Sequence, residues 1–201
     1  HAMFAGFLPK PITARTITDG QPLFFPKSIG MGNLTPAGAF AFEEATFVEG
    51  LAKVGYQTNC IGGVAFFDKR SALGSVFPAM FQHSFWRPSF GCGVQESAVN
   101  QIDFIIKRLH QTPQETLVFY YVNICAIHYP NWFYDPNGRK NHDDLNSHKA
   151  ALRHVDSELA RLLTAFAQRR RTFVIATSDH GTCYGEDGFQ FHGLPNDITN
   201  T

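Results

Sequence analysis

The stretch "FVIATSDHGTCYGEDGFQFHG", Phe173 to Gly193, poses the structural question most sharply. Phe173–Thr177 has the composition of a buried strand and runs straight into Ser178-Asp179-His180-Gly181, and a second His-Gly pair, His192-Gly193, follows. Neighbouring side chains on a strand point to opposite faces. Asp179 and His180 therefore serve one centre only if the strand has ended and the backbone is turning, a turn that Gly181 permits. A carboxylate beside a neutral imidazole is a mixed hard and borderline donor set, suited to Zn²⁺ or Mn²⁺. Two donors do not hold an ion, and His192 in "FQFHG" and His128 in "AIHYP" are the natural additions. The plainer reading, in which Asp179 caps a turn and His180 is a hydrogen-bonded surface histidine, stays open on the pair alone.

Upstream, helices and apolar runs alternate. Phe40, Phe47, Leu51 and Val54 keep helical spacing, as do Ala98, Ile102, Ile105, Ile106 and Leu109 between Gln95 and His110. Leu152, Val155, Leu159, Leu162, Leu163 and Phe166 mark a third helix, with Asp144 or Asn146 available to cap it. Thr58–Ile61, Leu117–Ile127 ("LVFYYVNICAI") and Phe173–Thr177 are continuous runs without alternation, as strands covered on both faces require. The pattern predicts an α/β fold: three layers, α/β/α, around a mainly parallel central sheet. Residues 65–93 and 129–144 read as ordered loops. Ligands of open α/β sheets sit beyond the carboxyl ends of the strands, where Gly62-Gly63, His128 and Asp179-His180 all fall. Gly62-Gly63 lacks a phosphate-loop pattern, so close packing is its expected role. Cys183 lies near the candidate site but has no base paired with it, so a cysteine nucleophile is not the expectation.

The chain has 201 residues, enough for one domain with a real core, and 20 of them are phenylalanine. Formal charge is +0, which argues against a nucleic-acid partner. Arg169-Arg170-Arg171 sits where a helix ends and the dipole favours cations. No long apolar run argues for a membrane span. Cys60, Cys92, Cys125 and Cys183 show no paired spacing, so a reducing, cytoplasmic location is the expectation.

Taken in order, several segments resemble the alkaline phosphatase superfamily, in particular its sulfatase-like metalloenzyme branch. "ATSDHGTCYGEDGFQFHG" resembles the family's metal-site segment, and "HKAALRHVDSELARLL" the helix before it. "GLAKVGYQTNCIGG" is similar to its helix–Gly–Tyr–x–Thr–strand segment, and "VNICAIHYPNWFY" to the strand leading into its His-x-Pro element. "HAMFAGFLP" looks like the helix just behind the family's nucleophile.

The resemblance implies a metal-dependent hydrolase of phosphate or sulfate esters, acting on a small-molecule ester with a zinc or manganese cofactor. It implies Asp179 and His180 as metal ligands, His192 as a residue binding a second metal or the substrate oxyanion, and His128 as a catalytic histidine of the same kind. Residues 1–201 then read as a single sulfatase-like domain, cut at its N-terminus, with its C-terminus a second candidate cut. The nucleophile is expected ahead of His1, and this piece alone is expected to be inactive. Two other readings are a non-catalytic α/β module of the same fold that binds an ion or anion, and a flavodoxin-like nucleotide-binding domain.

Overall fold

The computed structural model describes residues 2–6, 23–24, 40–41, 44–169 and 171–192. Gly193 and Arg170, both singled out above, lie outside them. Helices α1 (Ala2–Ala5), α2 (Phe47–Lys53), α3 (Ala72–Ser75), α4 (Ser97–Gln111) and α5 (Leu145–Ala167) surround the strands. Strands β1 (Leu23–Phe24) and β2 (Phe40–Ala41) form a short parallel pair. The central sheet has the order β4 (His83–Phe85), β3 (Gln57–Ile61), β5 (Val118–Val122), all parallel. A hairpin of β6 (Cys183–Tyr184) and β7 (Gln190–Phe191) closes the described chain.

Strand side chains alternate between two covered faces, which makes three layers. Cys60 packs with Phe4, Val48, Phe67, Phe77 and Phe81 on one face, where Phe119 and Tyr121 join them. Ile61 packs with Ile102, Ile105, Leu109 and Leu162 on the other, with Tyr120 and Val122. Burying each of these large apolar side chains is worth about 2 kcal/mol. The phenylalanine excess is thereby accounted for: Phe4 lies 5.0 Å from Phe77 and 5.1 Å from Tyr121, ring centre to ring centre.

The helix ends follow local chemistry. Thr46 begins α2 with a capping box, Thr46 Oγ1 accepting from Glu49 N while Glu49 Oε2 accepts from Thr46 N at 2.7 Å. Asp144 caps α5 by accepting from Ser147 N at 2.9 Å, and Ser147 Oγ accepts from Asp144 N. Buried Arg169 caps a different helix from its own. It donates to Thr112 O, Pro113 O and Thr116 O at 3.0, 2.8 and 2.9 Å, satisfying carbonyls that trail from α4.

Several expectations need correction. Phe40 belongs to β2, so α2 starts only at Phe47, after its cap. Pairing in the second run stops at Val122, and 123–127 is loop. Leu152 and Leu163 are exposed, because the buried stripe of α5 runs through Ser147, Ala151, Val155, Leu162 and Ala165, a quarter-turn away. Phe173–Thr177 is no strand of the sheet: it pairs with nothing among the described residues, and Phe173, Val174 and Ile175 are 87%, 49% and 75% exposed. Hydrophobicity there signals a preference for burial but selects no partner. The sheet instead takes in β4, inside a region read as loop, since three residues are too few to show a pattern.

Candidate active site

Because β3, β4 and β5 are parallel, their carboxyl ends share one edge, and the loops leaving it are stitched together. Asn123 N donates to Ile61 O at 2.9 Å, and Asn123 Oδ1 accepts from Gly63 N and Val64 N at 3.3 and 3.0 Å. Gly63 is glycine for want of space: a Cβ there would lie 2.7 Å from both Asn123 O and Cys125 Cβ. The Gly62-Gly63 pair thus serves packing. Past Asn123 the chain turns, His128 N donating to Cys125 O at 2.9 Å, and presents His128.

The hairpin supplies the second part of the site. Gly185 (φ 118) and Gly188 (φ 77) take backbone conformations that side chains resist, and Gly185 N donates to Phe189 O at 2.8 Å, so the chain reverses within a few residues. Gly181 does not take a positive φ; the glycines that need one lie deeper in the turn. Phe191 (φ 69) is a strained non-glycine residue directly before His192, and its ring rests 5.0 Å from that of Tyr129. Tyr184 ties the hairpin down: its hydroxyl lies 2.9 Å from His148 Nδ1 and 3.3 Å from Asn131 Nδ2. Buried Asn131 in turn accepts from Ser147 Oγ at 2.6 Å and donates to Ile127 O, beside His128.

These elements bring three imidazoles together. His192 Nε2 is 3.4 Å from His128 Nε2, and the His180 and His192 ring centres are 4.4 Å apart. Asp179 stands at the rim, its Oδ1 3.7 Å from His180 Nε2 and its side chain 80% exposed. His128 Nδ1 contacts Tyr129 O at 2.6 Å and His180 Nδ1 contacts Gly181 O at 2.8 Å. A carbonyl only accepts, so both Nδ1 atoms carry the proton and both Nε2 atoms keep a lone pair when the rings are neutral.

The surroundings push the rings apart in proton affinity. His128 is held above its ordinary value, chiefly by a hydrogen bond with Cys92. His192 is held below, by burial first and then by His180 and His128. The donor types fit a borderline divalent ion. With Nδ1 of His180 held by Gly181 O, its Nε2 stands beside Asp179 Oδ1, an imidazole donor next to a carboxylate donor. The set is not closed, since no group of three metal-type side chains converges on one point among the described residues.

Cys92, Asn131 and Tyr184 escaped the reading of the sequence. Cys92 is drawn down to about 5, chiefly by its side-chain contact with Cys125 and with His128 contributing, and the same contact with burial pushes Cys125 up. Its flanking glycines, in "FGCGV", were the one signal available. Glu186 is a turn residue, accepting from Tyr184 N.

No curated protein matches the sequence. Among solved structures, the chain is similar to the lipoteichoic acid synthase LtaP from Listeria monocytogenes, with 15% identity and a TM-score of 0.42. That match covers 61% of this chain and 33% of the length of LtaP. The sulfatase family model matches residues 6–201, nearly the whole chain. The chain belongs to the sulfatase family of the alkaline phosphatase superfamily, with an α/β fold built on a parallel sheet.

Proposed function

We propose that this chain carries the metal-binding and oxyanion-binding half of a hydrolase site for phosphate or sulfate esters of small molecules. Asp179, His180 and His192 would hold a zinc or manganese ion, and His128 would face the ester oxygens. The observation that carries this is the pair of backbone carbonyls holding Nδ1 of His128 and His180, which leaves their Nε2 atoms to meet a ligand. A bound divalent ion supplies Lewis acidity toward the ester oxygens. His192, kept neutral by its surroundings, offers a lone pair to a cation. His128, held towards its protonated form, donates a hydrogen bond to an anionic oxygen. Environments that separate two like groups in this way assign them different tasks. None of the four residues is the attacking group, which comes from outside the site described. Family membership supports a hydrolase, and the absence of paired cysteine spacing supports a reducing compartment.

The test is hydrolysis of aryl phosphate and aryl sulfate by the full-length protein, the segment bearing the attacking group included, after chelation and after zinc or manganese is restored. Activity should vanish and return, and His128→Ala should lower kcat at least ~10²-fold while keeping the metal. Hydrolysis indifferent to chelation and to His128→Ala would overturn the assignment.

A further inference from the structure

Beside the imidazole cluster, two thiols from distant sequence meet. Cys92 lies on the loop after β4, just past the tight turn at Pro88–Phe90, and Cys125 lies on the loop after β5. Strands β4 and β5 flank β3, so both loops leave the same edge of the sheet; Trp86, directly after β4, donates to Gly63 O at 3.1 Å, and Cys125 packs against Gly63. There Cys125 Sγ reaches Phe90 O, two residues before Cys92, and the Cys92 side chain neighbours those of Cys125 and His128.

The two cysteines are held differently. Cys125 is buried and clamped: its Sγ donates to Phe90 O at 2.9 Å, and the space a Cβ on Gly63 would fill lies 3.0 Å from that sulfur. Cys92 is only partly buried, so a small oxidant reaches it first, with Cys125 waiting behind it. An accessible thiol backed by a resolving thiol is the arrangement that reversible redox sites use.

We propose that Cys92 and Cys125 form a reversible disulfide, a redox modification site next to His128. With hydrogen peroxide as oxidant, the Cys92 thiol takes one oxygen to become a sulfenic acid, releasing water. The Cys125 thiol then attacks that sulfur, the S–S bond forms, and the sulfenic oxygen leaves as a second water. Two thiols and one peroxide give one disulfide and two waters, with two electrons passing from sulfur to the peroxide bond. Any dithiol reductant reverses the step by exchange. Oxidation removes from His128 the hydrogen bond with Cys92, so the modification bears directly on the histidine cluster.

The test needs no hydrolase activity, and its outcome is independent of the proposed function. The chain is treated with hydrogen peroxide, alkylated with iodoacetamide in denaturant, and digested without reductant. A peptide pair joined through Cys92 and Cys125, lighter than the two reduced peptides by two hydrogens and parted by dithiothreitol, is expected. Cys125→Ser should arrest the reaction at a Cys92 sulfenic acid that dimedone traps. Cys92→Ser should leave Cys125 reduced at the same peroxide dose. Alkylation of both wild-type cysteines after peroxide, over-oxidation of Cys92 without a cross-link, or linkage of Cys92 to Cys60 or Cys183 instead would each overturn the proposal.

Discussion

The Tyr184 hydroxyl is the contact through which the hairpin bearing His192 is anchored, and removing it isolates that contact. In the wild type Asn131 Nδ2 donates to the hydroxyl at 3.3 Å, so the hydroxyl's own proton goes to His148 Nδ1 at 2.9 Å. Tyr184→Phe deletes both bonds and leaves a half-buried ring nitrogen without its donor. At about 0.5–1.5 kcal/mol per bond, and with the Asn131 bond long, the loss is about 1–2 kcal/mol. Urea unfolding should show a lower midpoint with an unchanged slope. The cost should also depend on pH. His148 is held below its ordinary value by burial, so it is neutral in the folded chain and takes up a proton more readily when unfolded. Folded-state stability therefore falls as the pH drops below about 6.5. Once protonated, Nδ1 no longer accepts the tyrosine proton, so the wild type loses this bond in acid while the variant has none to lose. The difference between them should shrink from about pH 7.5 to about pH 5. A penalty that is the same at both pH values, or smaller than about 0.5 kcal/mol throughout, would refute this account of the anchor.

Other substitutions probe the supports around it. Gly63→Ala places a methyl group 2.7 Å from Asn123 O and Cys125 Cβ, and should cost about 1–3 kcal/mol in thermal or urea unfolding. Arg169→Met strips the α4-to-β5 loop of its charged donor and should cost about 3 kcal/mol by the same measurement. Phe173→Ser removes a ring that is 87% exposed and should change stability by no more than about 0.5 kcal/mol; a loss of several kcal/mol would mean that this segment is buried in solution.

Long, strongly patterned elements were the most legible in the sequence. Helices α4 and α5 span several turns each, so their apolar stripes outweigh local noise, and Asp144 names the start of α5. Strands β3 and β5 showed as β-rich runs following or preceding helices. Strand β4 could not be seen, because His83-Ser84-Phe85 carries no periodicity of its own. Phe173–Thr177 was misplaced for the opposite reason: its apolar run is strong, but pairing depends on a neighbour that the run does not name. For the site, His128 and Asp179-His180 stood out because they follow apolar runs, and His192 because it closes a glycine-rich turn. What joins His192 to His128 is the Tyr184–Asn131–Ser147 chain of hydrogen bonds, between residues far apart in sequence with nothing distinctive about them singly. Cys92 was hidden likewise, since its significance comes from contact with Cys125 and His128.

The central claim is that Asp179, His180 and His192 act together on one divalent ion, and its most direct test is the metal content of the protein. Wild type, Asp179→Ala and His180→Ala proteins, equilibrated with equal zinc and manganese and then desalted, are compared by elemental analysis at about pH 7.5 and about pH 5. The wild type should retain metal at the higher pH and release it at the lower, as the imidazoles take up protons. Each variant should retain much less at either pH, with the fold intact by circular dichroism. Equal metal in all three proteins, or metal that stays bound in acid, would contradict the assignment.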